Sequence, residues 1–121
     1  MDENNKGTPV LDPNTVGQLR QAQVDCDNPQ FMAQLVGIYK KNAPGRVEEI
    51  RQAIAARDAA KLAHVAHTLK SNCSMLGALQ MAKVCNSLED LGDAANFDGT
   101  EALLAELDAE LPRVIAAVDE L

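Results

Sequence analysis

The chain is poor in aromatic residues and lacks tryptophan. Two Phe and one Tyr are its only aromatic side chains, yet 46% of its 121 residues are hydrophobic. The core therefore has to be built from aliphatic side chains, alanine and methionine, and that composition favours packed helices over sheets. The length suits one domain with one core.

Cysteines and basic residues are also few. Cys26, Cys73 and Cys85 are odd in number and include no C-x-x-C pair. The sequence therefore predicts neither a disulfide framework nor a zinc knuckle, and a reducing cytosol is the simplest setting. Eleven Lys and Arg against 18 Asp and Glu leave a net charge of -7. This balance argues against a nucleic-acid partner, because the phosphate backbone is bound by clustered cations.

Long hydrophobic runs are missing as well. No apolar stretch approaches the ~18 residues of a membrane span, and the polar start, Met1 to Gly7, lacks the apolar segment of a signal peptide. We therefore expect a cytoplasmic protein without membrane insertion. We interpret residues 1–10 as a flexible tail and residues 11–121 as the folded domain.

Helix-start signals recur along the domain. Asp12-Pro13 and Asn28-Pro29 each provide a capping side chain followed by proline, and Asp58 provides a further cap. The apolar spacing predicts a first helix over roughly 13–24, and a second that begins at 28–29 and is kinked at Pro44. It predicts three more, from Asp58 to near Gly77, over roughly 79–94, and from Thr100 to the end. No segment alternates with a period of two. We predict an all-α fold, an antiparallel four-helix bundle with a short additional N-terminal helix.

The helix after Asp58 carries an exposed histidine among small residues. At about 100° per residue, His67 points about 150° away from the centre of the apolar face of this helix. An exposed helix face normally carries long charged side chains, whereas the neighbours of His67 are short. We interpret this surface as a docking surface with a nucleophile at its centre. The alternative, which the sequence leaves open, is a face that packs on another helix of the same bundle or of a dimer. The predicted members of the docking surface, beside His67, are Ala63, His64, Ser71, Ser74, Gly77 and Ala78.

Lys70 lies three residues after His67, where the two Cβ atoms are about 5–6 Å apart. Its ammonium can reach an anionic group carried by the imidazole, such as a phosphoryl group, and stabilise it. An ordinary solvated lysine is the alternative interpretation of any single Lys on a helix.

The whole pattern resembles that of a known family. From His67 to Ala78 the spacing is H-x-x-K-small-x-x-small-x-x-G-A, and it resembles that of the histidine-containing phosphotransfer (HPt) domains of bacterial multistep phosphorelays. The segments Leu11-Asp12-Pro13 and Leu88-Glu89-Asp90-Leu91-Gly92 resemble corresponding parts of those domains, so the likeness covers roughly residues 10–118. One departure is Ser71, where the family most often has glycine.

The resemblance implies a function and its residues. The histidine of such a bundle accepts a phosphoryl group from the aspartate of one receiver domain and passes it to the aspartate of another. His67 would be the phosphoacceptor and Lys70 would stabilise the phosphoryl group, with no general base required on this chain. The chain would hold no cofactor, since Mg²⁺ and the acidic pocket would come with the receiver.

The partners implied are receiver domains of response regulators or of a hybrid sensor kinase. No glycine-rich loop for ATP is present, so we expect a phosphotransfer intermediate and not an enzyme. We also expect a monomer. The sequence leaves open whether the chain is free-standing or a domain of a hybrid sensor kinase.

Three alternatives compete with this interpretation. His64 is also outward-facing, but no lysine or glycine follows it at the required spacing. The pair His64 and His67 could ligate a metal, but a closed site needs further ligands on the same side. A helical interaction module that binds and regulates another protein through the same surface is the remaining alternative. Binding alone does not need a nucleophile beside a cation, so we favour phosphotransfer.

Overall fold

A computed structural model describes residues 10–121 of the chain. It contains α1 (Pro13–Asp25), α2 (Phe31–Ala56), α3 (Ala59–Met75), α4 (Leu79–Asp93) and α5 (Thr100–Asp119). Residues 10–121 include no strand, so the predicted all-α class is confirmed. The tail predicted over residues 1–10 lies outside the described residues except for Val10, and it stays a prediction.

Four of the helices form the bundle. α3 packs on α2 and α4, and α5 packs on α4 and α2, so that the four long helices close into a ring. Short connections join them in sequence, which makes neighbours antiparallel. The short α1 lies against α2. This is the four-helix bundle with an additional N-terminal helix that the sequence predicts.

Two of the predicted helix caps are confirmed. The Asp12 carboxylate accepts hydrogen bonds from the Thr15 backbone N–H at 3.1 Å and from the Thr15 hydroxyl at 2.8 Å, and Pro13 is the first helical residue. Asp58 accepts from the backbone N–H of Lys61 at 3.1 Å. Each side chain satisfies a backbone donor that has no partner inside its own helix.

The start of α2 differs from the prediction. The helix begins at Phe31, whereas we predicted 28–29. The Asn28 side chain accepts from the Gln30 N–H at 3.0 Å, and the Asn28 carbonyl accepts from the Phe31 N–H at 3.1 Å. Asn28 thus closes a turn that precedes the helix. The helix continues through Pro44 and does not end there, as predicted; the kink at Pro44 stays a prediction.

The core is aliphatic with a small sulfur cluster. Cys73 and Cys85 are both fully buried, as expected for cysteines that act as small hydrophobes. The Tyr39 hydroxyl donates to Met81 Sδ at 3.3 Å and lies 3.5 Å from Cys73 Sγ. Burial raises the pKa of the Tyr39 phenol well above its usual value, so this hydroxyl keeps its proton and remains a donor.

The turn after α3 lies beneath the start of α1. Gly77 has φ 82°, and its carbonyl accepts a hydrogen bond from the Asp12 N–H at 2.8 Å. Ala78 is fully buried, and its N–H donates to the Cys73 carbonyl at 2.8 Å. The prediction that Gly77 and Ala78 belong to an exposed docking surface is therefore wrong. A helical projection does not apply to them, because α3 ends at Met75 and the chain turns inward.

The backbones of α3 and α4 approach each other closely at Gly92. An ideal Cβ built on Gly92 would lie 2.7 Å from the backbone N of Ala63 and 3.0 Å from the carbonyl oxygen of Ala59. Ala63 is half-buried. This residue, predicted as part of the docking surface, thus lies at the seam between the two helices.

No helix in the stretch from residue 10 to the C-terminus is both long and apolar enough to cross a membrane.

The contact between Gly77 and α1 can be tested by two matched substitutions. Gly77→Ala puts a Cβ 3.0 Å from the Asp12 N and the Thr15 Cβ, whereas Gly99→Ala has the same positive φ, near 81°, and meets nothing within 4 Å. Left-handed strain alone costs about 1 kcal/mol, and crowding of a packed contact adds about 1–2 kcal/mol. Urea unfolding should therefore show the larger loss of stability for Gly77→Ala. Equal losses would mean that α1 does not lie on this turn.

Candidate functional site

His67 lies on the exposed face of α3 and makes one side-chain contact with α4. Its side chain is 59% exposed, and its Nδ1 lies 2.9 Å from Oε2 of Glu89. The sequence predicts the site on α3 alone, whereas in the structure His67 of α3 is paired with Glu89 of α4.

Lys70 contacts the same carboxylate. Its Nζ donates to Oε1 of Glu89 at 2.6 Å and to Oδ1 of Asn86 at 3.2 Å. The Lys70 side chain is 27% exposed and the Glu89 side chain 19%. One carboxylate therefore brings the ammonium and the imidazole together, which supports the predicted proximity of His67 and Lys70.

The charge of Glu89 determines which ring nitrogen of a neutral His67 carries the hydrogen. The hydrogen bond from Lys70 is the largest cause that lowers the Glu89 pKa; burial opposes it, and the His67 contact adds to the lowering. Glu89 is therefore ionised near neutral pH, and a carboxylate can only accept hydrogen bonds. The His67 Nδ1 must then carry the hydrogen. In the neutral ring Nε2 has the free lone pair, and within residues 10–121 the side-chain hydrogen bond of the ring is made by Nδ1.

Glu89 and Asn86 belong to the site, although the sequence pattern does not predict either as a site residue. Glu89 is part of the Leu88–Gly92 segment that carries the family resemblance, and Asn86 precedes that segment. The two are three residues apart on α4 beside its buried face, which includes Cys85 and Leu88. That spacing could have indicated that the two side chains act together, because residues three apart lie on one side of a helix. The spacing does not show which neighbouring helix that side contacts.

The predicted docking surface is partly present. His64, Ser71 and Ser74 are exposed, as predicted. The Ser71 hydroxyl donates to the His67 carbonyl at 3.2 Å, so this short side chain turns back on the backbone of its own helix. Ala63 at the seam and the buried Gly77 and Ala78 do not contribute.

Two exposed apolar side chains extend the surface around Ser71 and Ser74 towards α2. Met75 follows Ser71 by four residues and is 47% exposed, and Ile38 of α2 is 55% exposed. Met75 and Ile38 line one small apolar cavity together with Leu35 and Tyr39. We name the surface formed by His67, Ser71, Ser74, Met75 and Ile38 the docking face.

His64 lacks the features of the other histidine. It is exposed beside a cleft lined by Arg46, Glu49 and Lys61. Among the described residues, a carboxylate is hydrogen-bonded to the ring of His67 and none is hydrogen-bonded to the ring of His64.

The metal-binding alternative lacks further ligands in the described part of the chain. In residues 10–121 no three His, Cys, Asp or Glu side chains are grouped so that they could hold a metal ion.

Comparisons with known proteins agree with the geometry. A family model described as the Hpt domain matches residues 34–117. The chain is 29% identical over 97 residues to multistep phosphorelay regulator 1 of Schizosaccharomyces pombe, a match that covers 80% of this chain and 32% of that protein. The chain thus spans about a third of the length of this curated relative.

The fold is also similar to a solved structure. The crystal structure of histidine-containing phosphotransfer protein B (HptB) from Pseudomonas aeruginosa superposes with a TM-score of 0.82 at 24% identity. The likeness covers 93% of this chain and 94% of that one. At this level of identity it establishes the helical bundle.

The Glu89 contacts predict a pH-dependent contribution to stability. Because the folded-state pKa of Glu89 is lowered, its stabilisation is present above the unfolded-state pKa of about 4.3 and is lost as the pH falls through the folded-state pKa. Glu89→Gln should cost about 1 kcal/mol at pH 7, since the site is partly open to water. The difference from the parent should shrink below about pH 4.

Chemical unfolding at both pH values measures this difference. Glu106→Gln is the matched control, because Glu106 is exposed and has no ion-pair partner among residues 10–121. It should leave stability nearly unchanged. A Glu89→Gln cost that is independent of pH would contradict an ionised, ion-paired Glu89.

Proposed function

Since the chain belongs to the Hpt domain family, whose members act in histidine phosphotransfer, we propose that it relays a phosphoryl group between receiver-domain aspartates on His67. One observation carries the assignment to this residue. The His67 Nδ1 is held by an ionised carboxylate while the exposed ring keeps Nε2 free. A nucleophile accessible to a second protein needs this combination.

In the proposed step, the Nε2 lone pair of His67 attacks the phosphorus of a receiver acyl phosphate in line. The N–P bond forms, the P–O bond to the aspartate breaks, and the carboxylate leaves with the electron pair. Positive charge then develops on the imidazole. The Glu89 carboxylate at 2.9 Å from Nδ1 stabilises that charge through the hydrogen bond it already accepts.

Lys70 gives the phosphoryl group a cation. In the unphosphorylated protein its ammonium is paired with Glu89 and hydrogen-bonded to Asn86. A phosphoryl group on Nε2 adds close to two negative charges beside this ammonium. Lys70 can rotate towards it while Glu89 keeps the Nδ1–H, so the phosphorylated ring is not left without a counter-charge.

The proposed role is that of an intermediate and not of a kinase. The chain supplies the accepting nitrogen, the orienting carboxylate and one cation. Mg²⁺ and the acidic pocket are assigned to the receiver, as family membership implies. We place this exchange in the cytoplasm, with the receiver of a response regulator or of a hybrid sensor kinase as the partner.

The docking face supports a protein partner. Along α3 beyond His67 the exposed face carries the short side chains of Ser71 and Ser74, and the exposed Met75 and Ile38 provide apolar area that a partner can cover. An interaction module without transfer would use the same surface. It would have no need of a carboxylate that fixes one tautomer of an exposed histidine, so the geometry favours transfer.

Substituting the two histidines separately tests the assignment. His67→Gln should keep the helical circular dichroism spectrum and abolish labelling by a receiver phosphorylated with radiolabelled acetyl phosphate. His64→Gln, the matched control one turn away, should still become labelled. Label that persists in His67→Gln would place the phosphoryl group elsewhere.

A bulky residue on the docking face tests the partner surface. Ser74→Arg should weaken receiver binding and slow transfer by roughly tenfold, while unfolding shifts by less than about 0.5 kcal/mol, as for most surface substitutions. Ala105→Arg is the control, since Ala105 is exposed on α5, which packs on α2 and α4. A large loss of stability with normal transfer for Ser74→Arg would mean that this face is packed and not free for a receiver.

A further inference from the structure

We propose that Gly92 is a positioning residue for His67, because its missing side chain sets the spacing between α3 and α4 at which Glu89 reaches the imidazole. The consequence for transfer rests on the proposed function. The effect on the imidazole does not, and it can be measured in the unphosphorylated protein.

The contact at Gly92 is made with main-chain atoms. An added Cβ would lie 2.7 Å from the backbone N of Ala63, 3.0 Å from its Cα and 3.0 Å from the Ala59 carbonyl oxygen. None of these atoms can rotate out of the way as a side chain could. The helices would have to move apart or slide, and a packed interior accommodates such a change poorly.

Gly92 and the site share one seam between the helices. On α4, Gly92 follows Glu89 by three residues, and on α3, Ala63 precedes His67 by four. In an antiparallel helix pair these steps run in the same direction, so the two contacts are about one helical turn, roughly 5 Å, apart. If an added Cβ at Gly92 moves α4 relative to α3, the Glu89–His67 contact one turn away therefore moves by nearly the same distance.

The contacts of Glu89 leave little room for displacement. Its two oxygens are engaged at the same time, one at 2.9 Å from the His67 Nδ1 and the other at 2.6 Å from the Lys70 Nζ. Beyond about 3.5 Å the imidazole contact is no longer a hydrogen bond. Glycine within a helix is also disfavoured relative to alanine, so close approach gives a physical reason for glycine here.

The test is Gly92→Ala, with the ¹⁵N chemical shifts of the His67 ring nitrogens as the readout. The parent should show a protonated Nδ1 and an unprotonated Nε2. The variant should lose that single tautomer, as Glu89→Ala should too, and it should accept a phosphoryl group roughly tenfold more slowly, since a misplacement near 1 Å can cost this much or more. The ring signals of His64 should not change.

Two other glycines provide matched controls. Gly37→Ala and Gly45→Ala make the same chemical change inside α2, where an added Cβ meets nothing within 4 Å. Both should leave the His67 shifts and the transfer rate unchanged. A Gly92→Ala variant that melts at a lower temperature but keeps the parental His67 tautomer would overturn the proposal, because Gly92 would then serve packing alone. Altered shifts with an unchanged transfer rate would support the spacing set by Gly92 and would contradict the role proposed for the Glu89 contact in transfer.

A second substitution covers the case in which Gly92→Ala does not fold. Glu89→Asp shortens the side chain by one methylene and leaves the seam intact. If the spacing is fixed, the shortened carboxylate cannot reach Nδ1 and the single tautomer is lost; if the tautomer survives, the helices adjust and the proposal is wrong. If the Gly92→Ala shifts change but the parent accepts no phosphoryl group, the proposed function fails while the positioning by Gly92 stands.

Discussion

The Glu89 carboxylate accepts hydrogen bonds from two groups of α3 at once, the Nδ1–H of His67 at 2.9 Å and the ammonium of Lys70 at 2.6 Å. Its charge fixes the hydrogen on Nδ1 and frees Nε2, and its second oxygen keeps a cation beside the ring. The reactivity proposed for His67 depends on this contact between helices. The register of α3 against α4, and therefore the close approach at Gly92, matters as much as the identity of the histidine.

The bundle, and not the site itself, holds these groups in place. A partly exposed ion pair contributes about 1 kcal/mol or less to stability, whereas each fully buried leucine contributes roughly 1.5–3 kcal/mol. Leu62, Leu69 and Leu88 are fully buried on α3 and α4, the helices that carry the site. The core thus fixes the positions from which the exposed side chains act, so the partner-facing side can remain small and open at little cost in stability.

Local features of this chain are predictable from sequence, whereas contacts between distant segments are not. The caps at Asp12 and Asp58 follow from one side chain and the next three residues, and His67 and Lys70 share one helix. The burial of Gly77 comes from the distant start of α1, and Ala78 is buried after α3 has ended at Met75, so helical spacing does not predict either position. The site role of Glu89 depends on how α4 is rotated about its axis relative to α3. The apolar pattern shows which broad side of α4 faces the core, but not which flanking side chains contact α3.

The central claim is that Glu89 holds the hydrogen on Nδ1 of His67, so that the phosphoryl group is carried on Nε2. NMR of the phosphorylated protein, with ¹⁵N-labelled histidine and detection of ³¹P–¹⁵N coupling, measures this directly. We expect a single phosphohistidine in which phosphorus is bonded to Nε2 of His67 and Nδ1 keeps its hydrogen. A phosphoryl group on Nδ1, or on the ring of His64, would contradict the account.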